Sequence, residues 1–590
     1  MTPNLKISQC LINRLSYVKE KCFGCLYGII YDNSLLVLGF ISENGSDLNI
    51  QDSFPGEIDL CGIIGIGEED YSSTRAKKLL QDVDVTDNPL FLSCKIDGSS
   101  ELVANFIVHG KTEQTTYSIY SESDIWSQFL TIRLQTRLPF MCNFQKDFVH
   151  EASTSMRKQL ASGQVAFHFP STNVYLMSSD SEHGLTGLSG DPDVGELCNA
   201  SSSSSEVSSK GKKKNRMNMD TLQTIMFKKA TKDSLDGSKN HAPVIDVNKR
   251  IYECLTMSLK IDAVAMVHRK TKVLNLYEIL IECLCRNLRM IEQCLLMQMN
   301  DEKDKKDGDT VCVTLPEPFH FMPDDCGHFI TRFYAKGDSE KQLEPKRREL
   351  HDKFLLLKMW PYFKRTNAYI FKDEIASNGP LINPHENLSV SSSNANSDMY
   401  IVRGKYSYYH YMQQNFDDNG WGCAYRSLQT LFSWFRWQGY TEREIPTHRQ
   451  IQECLVDIQD KPPNFIGSRQ WIGSTEVSFC LETMLGIQSR ILHASSGEEL
   501  GGHGPELAAH FKSQGTPIMI GGGQLAHTIL GVEYDQTTGN VRFLVLDPHY
   551  TGGEDLHTIN GKGWCGWKNL SFWNKTSYYN LCMPQLPRGI

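Results

Sequence analysis

No stretch of this 590-residue chain approaches the roughly 18 consecutive apolar residues that a membrane-crossing helix needs, so no bilayer span is expected. Residues Met1 to Gln9 are polar and lack the apolar segment of a secretory signal. Positive charge is not in excess either. Lysine and arginine total 60 against 69 acidic residues, a net charge of −9, and a nucleic-acid partner is not expected from that balance. No His-x-His pair occurs anywhere. Cys22-Phe-Gly-Cys25 has the spacing of half a zinc site, but no second Cys-x-x-Cys follows. The pair reads instead as two small core residues flanking a turn. The 18 cysteines are scattered and are expected as free thiols in a reducing compartment.

What is present is ordinary globular material in quantity. Hydrophobic residues make up 40%, and the length allows two to four domains. Leu26–Tyr31, Ser34–Ile41, Ile58–Gly65, Phe91–Ile96 and Glu101–Val108 read as strands, with a helix around Leu79, so an α/β domain is expected over 1–177. Composition then changes: Ser201–Ser205 and the basic run Lys210–Arg216 mark 178–242 as a disordered insertion. The basic run reads as a solvated loop, with a nuclear signal or a patch for anionic lipid or RNA as the functional alternatives. Order is expected to resume at 243–299, where Leu274, Tyr277, Leu280, Leu284, Leu288, Ile291 and Leu295 predict one long helix. Residues 300–395 read as a connecting region with a strand at His328–Tyr334 and a helix near Glu344–Lys358. A final domain is expected over 396–590.

That final domain carries the chemistry. Asp417-Asp-Asn-Gly-Trp-Gly422 is a turn, and from Cys423 the apolar positions Ala424, Leu428, Leu431, Phe432 and Phe435 recur at helical spacing, with Gly439 placed as a C-terminal cap. Cys423 is thereby set at a helix N-terminus, where the dipole favours a thiolate. Far downstream, Asn540–Leu546 reads as a buried strand running into Asp547-Pro-His549. In extended chain, residues i and i+2 share a face, so Asp547 and His549 emerge together. A helix-capping thiol facing an imidazole held by a carboxylate is the Cys-His-Asp arrangement of a papain-like hydrolase. His527, at the start of the strand His527–Tyr534, is the rival general base. Gly521, Gly522 and Gly523, between two strands, are candidates for a narrow channel together with His527, with Trp421 and Trp471 as its walls.

Tyr406–Met412, Asp418–Thr430, Gly467–Gly473, Met519–Gly523, Ala526–Gly531, Asp547–Gly553 and Gly563–Trp567 together resemble the catalytic core of the proteases specific for ubiquitin-fold modifier 1. The likeness runs from about Pro361 to the end, and the long N-terminal region resembles the larger type within that family. The resemblance implies an α+β chain: a C-terminal papain-like cysteine protease domain preceded by an α/β domain similar to metal-dependent deubiquitinase (MPN) folds, interrupted by the disordered insertion. It implies Cys423 as nucleophile, His549 as general base and acid, Asp547 as its orienting partner and Tyr411 as an oxyanion donor. No metal or organic cofactor is called for.

The activity so implied is cleavage after the C-terminal glycine of ubiquitin-fold modifier 1, both in its precursor and in its protein conjugates. The resemblance also implies cytoplasmic action at the cytosolic face of the endoplasmic reticulum, through a membrane adaptor. Two alternatives remain at this point: a cysteine protease for another, autophagy-type modifier, or a scaffold whose N-terminal half docks partners.

Overall fold

The computed structural model describes residues 2–43, 50–67, 89–96, 102–108, 111–178, 184–188, 190–204, 220–228, 254–300, 313–374, 379–388 and 397–587. They fall into two compact units, Met1–Leu356 and Leu357–Ile590.

The first unit contains two large sheets. Eight strands between Asn4 and Tyr120 make the first. The apolar runs of the sequence supply its centre: Cys22–Tyr31 pairs antiparallel with both Ser34–Ser42 and Asp59–Ile66, and Leu90–Cys94 and Leu102–Val108 continue the sheet outward. Ser34–Ser42 is buried at every residue, as a strand covered on both faces must be. Cys22 and Cys25 do not flank a turn. Both lie inside Cys22–Tyr31, three residues apart and so on opposite faces. The helix expected around Leu79 falls outside the described residues.

The second sheet has six strands and is built around two of fifteen residues, Phe129–Asn143 and Cys254–His268, paired antiparallel along their whole length. It corrects the expectation for 178–242. The helix Val194–Ser204 and the strand Thr221–Lys228 both lie in that stretch, and the strand pairs on both edges. Val194, Leu197, Cys198 and Leu222 are buried in the same core. Serine and lysine dominate a composition taken over the whole window and hide these two short apolar patterns. The basic run Lys210–Arg216 lies outside the described residues. The long helix is Leu276–Asn300, entered through a 3-10 turn at Val273–Asn275. The strand expected at His328–Tyr334 is Ile330–Ala335, and the basic helix is Glu340–Phe354, opened by a Ser339/Gln342 capping box.

The second unit begins at Leu357, not at 396 as the composition suggested. Its early residues belong to its core. Trp360 meets Trp434 edge-on with ring centroids 6.2 Å apart, and Asn383 accepts the Tyr406 N–H at 2.9 Å. A seven-stranded sheet runs in the order Ser489–Ala494, Tyr579–Pro584, Ile518–Gly522, Leu525–Asp535, Val541–Leu546, Cys565–Asn569, with Ser397–Ile401 pairing on Leu525–Asp535. Helix Cys423–Trp437 packs on the two central strands, and every residue from Cys423 to Phe435 is buried. It ends as the sequence predicts: Gly439 takes φ +83°, and the Tyr440 N–H reaches back to the Phe435 carbonyl. Helix His448–Asp457 opens with a Thr447/Gln450 capping box. For helix Ser474–Leu485 the cap is Gly473, whose N–H bonds Glu476, while Ser474 turns inward to the Asn580 carbonyl. Among the described residues no helix is long and apolar enough to cross a membrane.

Candidate active site

The turn before the nucleophile helix is tied by one residue. The main-chain oxygen of Asp418 accepts the Trp421 and Gly422 N–H groups at 3.2 and 2.9 Å, and Gly420 in the left-handed region (φ +83°) lets the chain reverse. Gly422 is glycine for space rather than for its dihedrals, because a Cβ there would stand 2.4 Å from Asp418 Oδ2. Cys423 follows as the first residue of the helix and is 8% exposed.

Opposite it, strand Val541–Leu546 ends just before Asp547, and Pro548 and His549 lie in a turn, so a turn rather than extended chain brings the two side chains together. His549 Nδ1 bonds Asp547 Oδ1 at 2.6 Å, and the same oxygen accepts the His549 main-chain N–H at 2.9 Å. Two further bonds hold the Asp547–Pro548 backbone: the Tyr408 hydroxyl donates to the Asp547 carbonyl, and the Tyr411 N–H donates to the Pro548 carbonyl at 2.9 Å. The Tyr411 ring meets that of His549 edge-on, centroids 5.3 Å apart.

The charges at the site are mutually stabilised. Burial works against a Cys423 thiolate. The hydrogen bond and positive charge of His549, with the Tyr411 hydroxyl and the Ala526 N–H, outweigh it and hold the thiol below its usual pKa. Burial also opposes an imidazolium, yet Asp547 and Cys423 together raise His549 to about 9. His549 Nε2 is buried without a hydrogen bond of full geometric quality, although Cys423 is among the groups that raise the His549 pKa. A loose thiolate–imidazolium contact fits both observations, and it is common before substrate closes a site. The Tyr411 hydroxyl is pushed up in pKa by burial and by the neighbouring Cys423 charge, so it remains a donor, and it lies within reach of the Cys423 N–H.

A cavity of about 150 Å³ has Cys423, Trp421, Trp471, Gly521, Gly522 and Ala526 among its lining residues. Two other expected channel residues lie elsewhere. Gly523 takes φ +57° and, with Gln524 at φ +70°, makes the two-residue hairpin turn between the strands, so the glycine run does not separate them. His527 is buried beneath His549, its Nε2 3.7 Å from Asp547 Oδ2. Among the described residues, His527, Asp547 and His549 are also the one group of three whose ligand atoms lie within 4.8 Å of one another. The short Asp547–His549 bond in that group is the pattern of an orienting carboxylate rather than of metal ligands.

A family model described as peptidase family C78 matches residues 397–582. An insect UFM1-specific protease N-terminal MPN-like domain matches 1–125, and a ubiquitin-fold modifier 1 specific protease 2 N-terminal model matches 150–376. The probable Ufm1-specific protease 2 of Drosophila melanogaster is 40% identical over 611 residues, covering 100% of both chains. The chain belongs to the Ufm1-specific protease 2 family. The mouse (Mus musculus) Ufm1-specific protease 2 is 42% identical over 76% of this chain and 95% of its own, and the human (Homo sapiens) one 49% over 59% and 72%. The crystal structure of UfSP from C. elegans shares the fold, with a TM-score of 0.67 at 24% identity over 100% of both chains. The chain is thus a cysteine peptidase, with an MPN-like N-terminal domain and a C78 peptidase domain.

Sequence reasoning passed over the buried cluster behind the nucleophile in this family member. Asp418 Oδ1 accepts the N–H of Met412, the residue after Tyr411, at 2.9 Å. Its Oδ2 takes Arg426 Nε at 2.6 Å and His448 Nε2 at 3.0 Å. Arg426 in turn bonds the Gln413 carbonyl and the Gln414 side chain. Both Asp418 and Arg426 are fully buried. Helical periodicity gave no signal for it: Arg426 lies on the polar side of the nucleophile helix with Gln429 and Ser433, where an arginine is expected to face solvent.

Proposed function

We propose that the chain is a thiol-dependent isopeptidase and peptidase that cleaves after the C-terminal glycine of ubiquitin-fold modifier 1, in its precursor and in its conjugates. The observation that carries the reading is that Cys423, held as thiolate by His549, lines a cavity of about 150 Å³ together with Gly521 and Gly522. A cavity lined by glycine backbone suits an extended tail ending in glycine.

The Cys423 thiolate attacks the carbonyl carbon of the terminal glycine. The Tyr411 O–H and the Cys423 N–H donate to the oxygen as it gains charge. His549, protonated and oriented by Asp547, gives its proton to the leaving amine as the C–N bond breaks, leaving a thioester. Water then gives one proton to His549 as it attacks the thioester, the C–S bond breaks to restore the thiolate, and the new glycine carboxyl group releases its remaining proton to solvent. The family resemblance extends the reading to action at the cytosolic face of the endoplasmic reticulum through a membrane adaptor, which co-fractionation with and without that adaptor would test.

The specificity test is cleavage of C-terminal amide fusions of ubiquitin-fold modifier 1 and of ubiquitin, side by side. Turnover of the first alone is expected. Equal turnover of both, or of ubiquitin alone, would contradict the reading.

A further inference from the structure

His527 has no part in the chemistry just described, yet it is buried at 5% exposure in contact with the groups that perform it. Its Nε2 faces Asp547 Oδ2, the carboxylate oxygen that His549 leaves free, at 3.7 Å. Its ring meets that of His549 edge-on at 5.1 Å, and the Phe572 and Trp573 rings close around it at 5.3 and 5.7 Å. Residue 526, immediately before it, supplies the N–H that faces the Cys423 sulfur, so one strand contacts both halves of the site. We propose that His527 is a positioning residue, which braces the second oxygen of Asp547 and backs the ring of His549 so that the pair keeps its aim at Cys423. The proposal rests on the reading of Asp547 and His549 as the catalytic pair.

Alternative roles fit less well. A general base must reach the sulfur, whereas Nε2 of His527 points to Asp547. A metal site would need Asp547 and His549 to give up their 2.6 Å bond. The environment also suits a neutral ring. Burial drives the pKa of His527 down to about 4, with Asp547 opposing and His549 and Lys568 reinforcing the fall. Those three are the charged groups that face it. A cation at this place would compete with the His549 imidazolium for the Asp547 charge.

The test uses the full chain with His527→Ala and His527→Gln, comparing kcat, KM and the pH profile, with thermal melting as a check of folding. Alanine is expected to lower kcat by about 10–100-fold, the usual cost of losing an outer-shell partner, with KM unchanged. A less firmly held Asp547 supports the His549 cation less, so the basic limb of the profile should move to lower pH. Glutamine, which keeps a donor, should restore most of the rate and the limb. If alanine fails to fold, His527→Phe fills the volume without a donor and takes its place. Wild-type kcat without the donor overturns the proposal, and so does an equal loss in both variants with an unmoved limb. His549→Ala run in parallel separates the two readings. Activity retained there but lost in His527→Ala would overturn the catalytic pair itself.

Discussion

At the scale of single residues, the site depends on a proton being in the right place. Cys423 must be ionised and His549 protonated at the same time, so activity needs a pH above the lowered pKa of the thiol and below the raised pKa of the imidazole. Turnover should fall as pH drops through the first and again as pH rises past about 9, a bell measurable from kcat/KM between pH 5 and 10. The two groups titrate as a pair, so the limbs belong to the couple rather than to either residue. Tyr411→Phe removes one oxyanion donor while keeping the ring against His549. It should cost about a hundredfold or more in kcat with KM little changed. A small effect on kcat would remove Tyr411 from that role.

At the scale of elements, the nucleophile helix and the Tyr411 loop are held together by Asp418. Removing its carboxylate leaves Arg426 buried and unpaired, so Asp418→Ala should destabilise the chain by roughly 3–5 kcal/mol and lower its melting temperature. Unaltered melting would mean that the cluster matters less than its burial implies. The glycine strand gives a second contrast. A Cβ at Gly521 meets Ser474 Oγ and Met519 Cε at ordinary contact distance, 3.4 Å, whereas one at Gly522 would stand 2.4 Å from the Tyr578 carbonyl. Gly521→Val should therefore block tail entry with melting unchanged, while Gly522→Val should damage the fold. Sequence could identify the glycine run but not this difference, because neighbouring residues in a strand face opposite sides and spacing alone does not say which side is occupied. Asp547 and His549 were legible for the opposite reason. Their pairing is local in the chain, although the structure makes it in a turn where the Asp547 side chain accepts the His549 N–H, and not in the extended chain that the spacing predicted. Asp418 escaped notice because an aspartate before Asn-Gly already has a local reason to be there, as a turn former.

At the scale of the whole chain, the apolar runs located the centre of the first sheet, three strands of the peptidase sheet and the long helix, but not the two fifteen-residue strands of the second sheet, and a window-averaged composition hid ordered elements. The stretch 178–242 holds a helix and a central strand, since a serine-rich average conceals two short buried patterns. The peptidase unit starts near Leu357 because Trp360, Asn383 and His385 serve its core from a segment with no marked periodicity. A fragment from Leu357 should melt cooperatively and well above one from Asp398, which lacks Trp360 against Trp434 and the bond from His385 to the Tyr406 hydroxyl. Equal melting of the two would restore the later border.

The central claim is that Cys423 alone among the 18 cysteines is the nucleophile that a glycine-ended modifier tail reaches. The most direct test is covalent capture by ubiquitin-fold modifier 1 carrying a C-terminal electrophile, with the adduct located by mass spectrometry. The account predicts a single adduct at Cys423, formed quickly by the wild type and absent from Cys423→Ser. An adduct on another cysteine, or none on a well-folded wild type, would contradict it.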